Sequence, residues 1–196
     1  MPKVGMPEIR KPQLIKAAIE AIDELGFAGA TVSVIGKKAG VSPAIINHYF
    51  GGKNGLLEET MKSLIREFFD ILNAQLKEQR SATCKQQVIA IANTCFSQSQ
   101  TSTQAMKAWI GFWASAMHTE NLARLQKVYA RRLNSILIVT LKQSFDIEEA
   151  RHIAATLAAL IDGIWLRSCL AGDEKHSSES LIEEYLEIIF KGEEKH

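Results

Sequence analysis

The chain has 196 residues, 46% of them hydrophobic and 23% charged, with a formal net charge of +1. That length supports one or two domains with real cores, and the near-neutral total excludes a protein that holds polyanions by bulk positive charge. Cys84, Cys95 and Cys169 are odd in number and widely spaced, with no CxxC pair and no HExxH helix, so neither a disulfide framework nor a metal site is expected, and no cofactor.

The opening, MPKVGMPEIRK, lacks the apolar run of a secretory leader. The longest apolar run, 153–161, stops at Asp162, well short of a membrane span. The expectation is a soluble cytoplasmic protein in a reducing compartment, with no membrane partner. The charge is uneven: residues 1–53 carry Lys3, Arg10, Lys11, Lys16, Lys37, Lys38 and Lys53 against Glu8, Glu20, Asp23 and Glu24, a net +3 that leaves −2 for the rest. Ordinary surface scatter fits this, and so does a protein that presents one end to phosphates.

Apolar spacing is helical throughout and no segment alternates like a strand, which predicts an all-α fold. Leu14, Ile15, Ala18, Ile22 and Leu25 form the stripe of a first helix that Gly26 ends. Residues 31–57, TVSVIGKKAGVSPAIINHYFGGKNGLL, read as two short helices around a glycine turn, then the start of a longer one. Thr31 or Ser33 can cap the first, and Ala39-Gly40-Val41 makes the turn. Ser42 caps the second and Pro43 takes its first position, where a missing N–H does no harm. Ile45, Ile46 and Tyr49 then point inward, leaving Pro43, Ala44, Asn47 and His48 outward. A helix-turn-helix seats such a second helix in the DNA major groove.

The ordered set Ala39-Gly40-Val41-Ser42, Ile46, Tyr49-Phe50, Lys53 and Leu56-Leu57 resembles the helix-turn-helix of the TetR family of bacterial repressors. The resemblance implies an all-helical homodimer that releases DNA when a small molecule binds. Two positions depart from the pattern: Gly36 stands where alanine is usual, and Ala44 where glycine is frequent. On propensity alone Gly36 weakens its helix by about 1 kcal/mol relative to alanine.

Each outward residue has a separable role. Asn47 can read a base edge, and Pro43 and Ala44 are short enough to touch thymine methyls. His48 and Tyr49 match the family's phosphate-facing aromatic pair, and Lys53 opens the long helix with positive charge and unbonded N–H groups. Thr31, Ser33, Lys37 and Lys38 can touch backbone phosphates from the first helix, while Arg10 and Lys11 can reach the flanking minor groove or stay solvated. Two readings of Lys37 and Lys38 stand open, a phosphate contact or a wet helix face, as they do for His48 between phosphate and a local partner. The resulting division is a DNA-binding head over 1–53 and a ligand-binding and dimerisation body over 54–196.

In the body, a long helix over 53–79 carries the stripe Leu57, Met61, Leu64, Ile65, Phe68, Leu72 and Leu76 and spans about 40 Å. Further helices are predicted near 85–97, 103–117, 120–143, 148–171 and 178–190, joined by polar linkers that include 97–103 and 172–178. Leu157, Leu160, Ile161, Ile164 and Cys169 line one broad apolar face, and Leu181, Ile182, Tyr185, Ile188 and Ile189 another. The resemblance implies that these last two helices pair with their symmetry mates in a four-helix bundle. The competing reading consumes both faces in a monomer core.

Trp109 and Trp113 stand four apart on one helix, and Asp162 and Trp165 three apart on another. Aromatic faces with a nearby acid suit a quaternary ammonium cation. MPKVGMPEIR, MKAWIGFWASAMH and LIDGIWLR, with the chain length, resemble the choline-responsive BetI-type branch of the family, whose members repress choline uptake and glycine-betaine synthesis genes until choline relieves them. Chemistry and spacing then nominate Trp109, Trp113, Asp162 and Trp165 as ligand contacts, with Tyr129 as an addition. The alternative is that the tryptophans are core and that Asp162 pairs locally with Arg167. Two rivals within and outside the family are a repressor answering to a drug, fatty acid or flat aromatic, and an architectural protein that binds any DNA. A helical enzyme is not expected, because no nucleophile–base pair, metal triad or phosphate loop is present.

Overall fold

A computed structural model of the chain describes residues 7–171 and 175–193. The opening MPKVGM and part of the linker expected over 172–178 lie outside the described residues. Among the described residues there is no strand, and the elements are α1 (Pro7–Gly29), α2 (Val32–Ala39), α3 (Pro43–Phe50), α4 (Lys53–Glu78), α5 (Cys84–Cys95), α6 (Gln98–Thr101), α7 (Thr103–Ala116), α8 (Glu120–Leu141), α9 (Ile147–Ala171) and α10 (Lys175–Glu193).

The chain forms two compact units that are discontinuous in sequence. One takes the residues up to Glu67 together with Ser102–Gln126; the other takes Phe68–Thr101 and the residues from Lys127 onward. The boundaries therefore fall inside α4 and α8. Helices α1, α2, α3 and α7 belong wholly to the first unit, so the reader expected over 1–53 packs within a larger body that includes α7.

In the first unit, Leu14, Ala17, Ala18, Ala21 and Ile22 are buried on α1. Leu25, predicted to join that stripe, is 53% exposed. It is the last residue before Gly26, whose φ of 71° and ψ of 170° break the helix and turn the chain. Thr31 is the N-cap of α2, its hydroxyl accepting from Val34 N at 3.3 Å. Gly40 closes the helix at φ 66°, a left-handed conformation that favours glycine.

Gly36 carries a meaning that propensity does not give. It is buried, its carbonyl accepts from Val41 N at 2.9 Å, and a Cβ there would stand 2.8 Å from the Val41 carbonyl oxygen. The glycine lets the turn fold back against the helix, so its helix-propensity cost is offset by that close approach.

Ser42 is corrected as a cap. It holds the N-cap position of α3, but its side chain makes no capping hydrogen bond. Pro43 has removed one N–H, and Ile45 N donates to the Ser42 carbonyl at 3.0 Å instead of to its hydroxyl.

In the second unit, Thr83 and Gln86 form a capping box at the start of α5. The linker expected over 97–103 contains a helix, α6, whose Gln100 is buried. Asp146 accepts from the backbone N–H of Glu148 and Glu149 at 2.8 and 2.9 Å and starts α9 one residue earlier than the spacing suggested. The core includes Phe68, Phe69, Leu72, Ile91, Leu137, Leu141, Ala154, Leu157 and Leu186. Cys84 and Cys95 are buried hydrophobes whose thiols donate to the carbonyls of Thr140 and Ile91.

The faces of α9 and α10 are only partly consumed. Leu170, Ile188 and Leu181 are 73%, 72% and 50% exposed, and Leu166 is exposed beside them. By length and composition alone the stretch Ile147–Leu170 matches a membrane span, and only 28% of its apolar window is buried. The apolar character expected to end at Asp162 thus continues along the same helix.

Candidate nucleic-acid interface and ligand residues

The second helix of the pair presents the residue pattern that a groove reader needs. Ile45 and Ile46 are buried at 5% and 0% exposure, anchoring α3 to the first unit, while Pro43, Ala44, Asn47 and His48 are exposed. Tyr49 is half-buried, its ring edge-on to His48 at 5.1 Å and to Phe50 at 6.5 Å. Thr31, Ser33, Lys37 and Lys38 are exposed on α2 and its cap.

Lys38 and Lys53 are engaged within the protein. Lys38 Nζ pairs with the Glu24 carboxylate at 2.6 Å. Lys53 Nζ donates to the Ala28 carbonyl at 2.8 Å. Lys107 on α7 donates to both the Asp23 carboxylate, at 2.8 Å, and the Asp23 carbonyl, at 2.5 Å. The hydrogen bond from Lys107 holds the Asp23 carboxyl below the ordinary carboxylate range.

The nominated ligand residues fall into two groups. In the first unit, Trp109 is buried at 3% exposure, 5.8 Å from Phe112 and 6.2 Å from Trp113, which is half-buried. In the second unit, Tyr129 meets Phe68 edge-on at 5.7 Å and Phe69 in tilted geometry at 5.8 Å, and Arg132 lies 4.0 Å over the Phe69 ring. Burial pushes the Tyr129 hydroxyl well above its usual range, with Cys95 and the Asp162 charge as further causes. Burial likewise lifts the Cys95 thiol to about 12, and Asp162 adds to it.

Asp162 is therefore the electrostatic neighbour of both. Burial raises its own carboxyl above the ordinary value, the opposite of what an ion pair with Arg167 would do. Yet Asp162 is also accessible to water. Trp165 is 6% exposed and its indole N–H donates to the Gln100 carbonyl at 3.3 Å, which fixes the ring in the core.

Sequence reasoning did not single out Phe69, Cys95 or Arg132. The only signal was the Phe68-Phe69 doublet, of which one member falls on the helical stripe. A separate open groove of about 820 Å³, lined by α1 residues with Glu59, Ser63, Arg66 and Gln104, has no aromatic ring and none of the nominated ligand residues.

Comparison with known proteins decides the family. Residues 14–60 match the model of bacterial regulatory proteins of the tetR family, and residues 85–191 match that of the BetI-type transcriptional repressor C-terminal domain. This chain belongs to the TetR family, in its BetI-type branch. It is 44% identical over 189 residues to the HTH-type transcriptional regulator BetI of Vibrio atlanticus (strain LGP32), covering 95% of this chain and 94% of that one. Against the regulator of the same description from Escherichia coli (strain K12) it is 44% identical over 188 residues, covering 95% and 96%.

Among solved structures, a transcriptional regulator from Pseudomonas aeruginosa PAO1 superposes with a TM-score of 0.82 at 27% identity, covering 96% of this chain and 93% of that one. A regulator from Saccharomonospora viridis in complex with choline superposes at 0.74 and 19% identity, covering 92% and 95%, which shows a common fold. These TetR-family relatives are DNA-binding transcriptional regulators and not enzymes.

Proposed function

We propose that the chain is a homodimeric repressor of choline uptake and glycine-betaine synthesis genes, released from its operator by choline. The observation that carries the DNA half is the exposed, short-chained face of α3 held by buried Ile45 and Ile46. Asn47 makes the base-edge contact, with Pro43 and Ala44 against thymine methyls. Thr31, Ser33, Lys37, His48, Tyr49 and Lys53 take backbone phosphates, which fix register without carrying sequence information. Ser42 contributes its position at the helix start and not a side-chain cap.

A single α3 reads too few bases, so a twofold pair reading half-sites about 34 Å apart supports the dimer. Leu166, Leu170, Leu181 and Ile188 form the surface that a second copy would cover. An isologous contact of this kind also accounts for an apolar α9 left largely unburied.

Choline is favoured as the effector by the chemistry of the second unit. Asp162 is a partly desolvated carboxylate next to Tyr129, which closes with Phe68 and Phe69. A trimethylammonium group gains from aromatic faces and relieves the cost of that carboxylate's charge. The S. viridis regulator that shares the fold has choline bound, which supports the same ligand class here. Trp109 and Trp113 remain in the proposal as a second aromatic surface for that class, and Trp165 as the packing behind Asp162. Choline shifts the dimer only by its differential affinity for a form whose heads no longer match adjacent grooves.

The test is fluorescence anisotropy with duplexes from upstream of the choline-uptake and betaine-synthesis genes, with and without millimolar choline, betaine aldehyde, betaine, a fatty acid and a flat aromatic cation. Preferential binding that choline weakens is the expected result. Binding equal to that of scrambled DNA refutes the operator; operator binding that choline leaves untouched refutes the effector.

A further inference from the structure

Several contacts converge on the end of α1. Lys107 holds Asp23, and Phe27 lies so close over Gly111 that its Cβ would meet an added methyl at 2.5 Å, so α7 fixes this segment from one side. From the other side Glu24 takes Lys38 of α2, and the Ala28 carbonyl takes Lys53 at the start of α4. The same short segment thus holds two lysines of the proposed DNA face, but by different chemistry. A neutral carbonyl leaves the charge of Lys53 intact, whereas the Glu24 carboxylate cancels that of Lys38. The Lys38 side chain is 23% exposed against 58% for Glu24. The carboxylate sits on the ammonium at 2.6 Å, so Lys38 can take a phosphate only by giving up that pair.

We propose that Glu24 is an internal substitute for a DNA phosphate. It stays on Lys38 when the head docks, withdraws one positive charge per protomer from the DNA face, and so sets the salt sensitivity and sequence-independent affinity of the repressor. This rests on the reading that α2 and the start of α4 face the DNA backbone. An exposed ion pair contributes little to folding, so its main consequence is on DNA binding, where each neutralised phosphate steepens the dependence of log K on log salt by about 0.9. Glu24 acts through Lys38 and is a positioning residue with no contact of its own to DNA.

The experiment compares the full chain with Glu24→Gln, Lys38→Met and the double variant, on operator and scrambled duplexes, by anisotropy from 50 to 200 mM KCl. Glu24→Gln is expected to steepen the salt slope by about 0.9 per protomer on both duplexes and to tighten binding several-fold at 50 mM. In the Lys38→Met background the same substitution leaves the slope unchanged. Parallel plots for wild type and Glu24→Gln overturn the proposal, and so does equal steepening with and without Lys38. The scrambled duplex keeps the outcome separate from the operator assignment: a wild type with no operator preference refutes that assignment, while the slope comparison still decides the role of Glu24.

Discussion

Gly111→Ala tests how tightly α7 is fitted to α1. Alanine is favoured over glycine inside a helix by about 1 kcal/mol, so an exposed α7 would gain stability. Here the new methyl would stand 2.5 Å from Phe27 Cβ and 2.8 Å from two ring carbons, and restoring ordinary contact requires a displacement of about 1 Å. The Cβ of Phe27 cannot rotate away, because it is fixed to backbone beside the Gly26 break. Overpacking of this kind costs about 1–3 kcal/mol, which exceeds the propensity gain. The expected net loss is about 1 kcal/mol for Gly111→Ala and about 2 kcal/mol for Gly111→Val, where the extra methyls add overlap. At this chain length each kcal/mol lowers the midpoint by about 2–4 °C. Thermal melts at fixed protein concentration, because dimer stability depends on it, read the effect. Phe27→Ala in the Gly111→Ala background should recover most of the overlap cost. A Gly111→Ala protein that melts at or above wild type refutes the reasoning.

Asn47→Ala should cost about 1–3 kcal/mol of discrimination per half-site, read as a falling ratio of operator to scrambled affinity; an unchanged ratio removes Asn47 from base readout. Leu170→Glu with Ile188→Glu should convert the dimer to monomer in light scattering and weaken operator binding at least a hundredfold; a dimer that survives both charges places the interface elsewhere. Choline affinity, measured by calorimetry, should fall as pH is lowered through the raised value of the Asp162 carboxyl, because that group takes up a proton and loses its charge. Folding stability should move the other way. A carboxyl whose folded pKa is raised contributes stability that is complete below its unfolded value near 3.8 and is lost as pH rises through the folded value. Asp162→Asn should flatten both dependences, and pH profiles identical to wild type would take Asp162 out of the ligand site.

The DNA-reading helices were legible because they are local. Thr31, Gly40 and Pro43 specify caps and a turn within a few residues of themselves, and Ile45 and Ile46 fall inward by helical period. The face of α3 follows from the same period. What the sequence did not give depends on distant partners. Gly36 reads as a weak helix position until the Val41 carbonyl is seen against it, and Leu25 reads as core until Gly26 turns the chain after it. Lys38 reads in the sequence as either a phosphate contact or a wet helix face, and its pairing with Glu24, fourteen positions earlier, lies beyond the reach of that local pattern. The Tyr129 niche brings together Phe68, Cys95 and Asp162 from three other helices, and no spacing rule reaches across such separations.

The thiols have a bearing on how such a regulator experiences its surroundings. Burial pushes the Cys95 thiol up to about 12 and the Cys169 thiol up to about 11. At neutral pH almost none of either exists as the nucleophilic thiolate. Alkylating agents should therefore react slowly with these two sulfurs at neutral pH, and faster as pH rises toward 11.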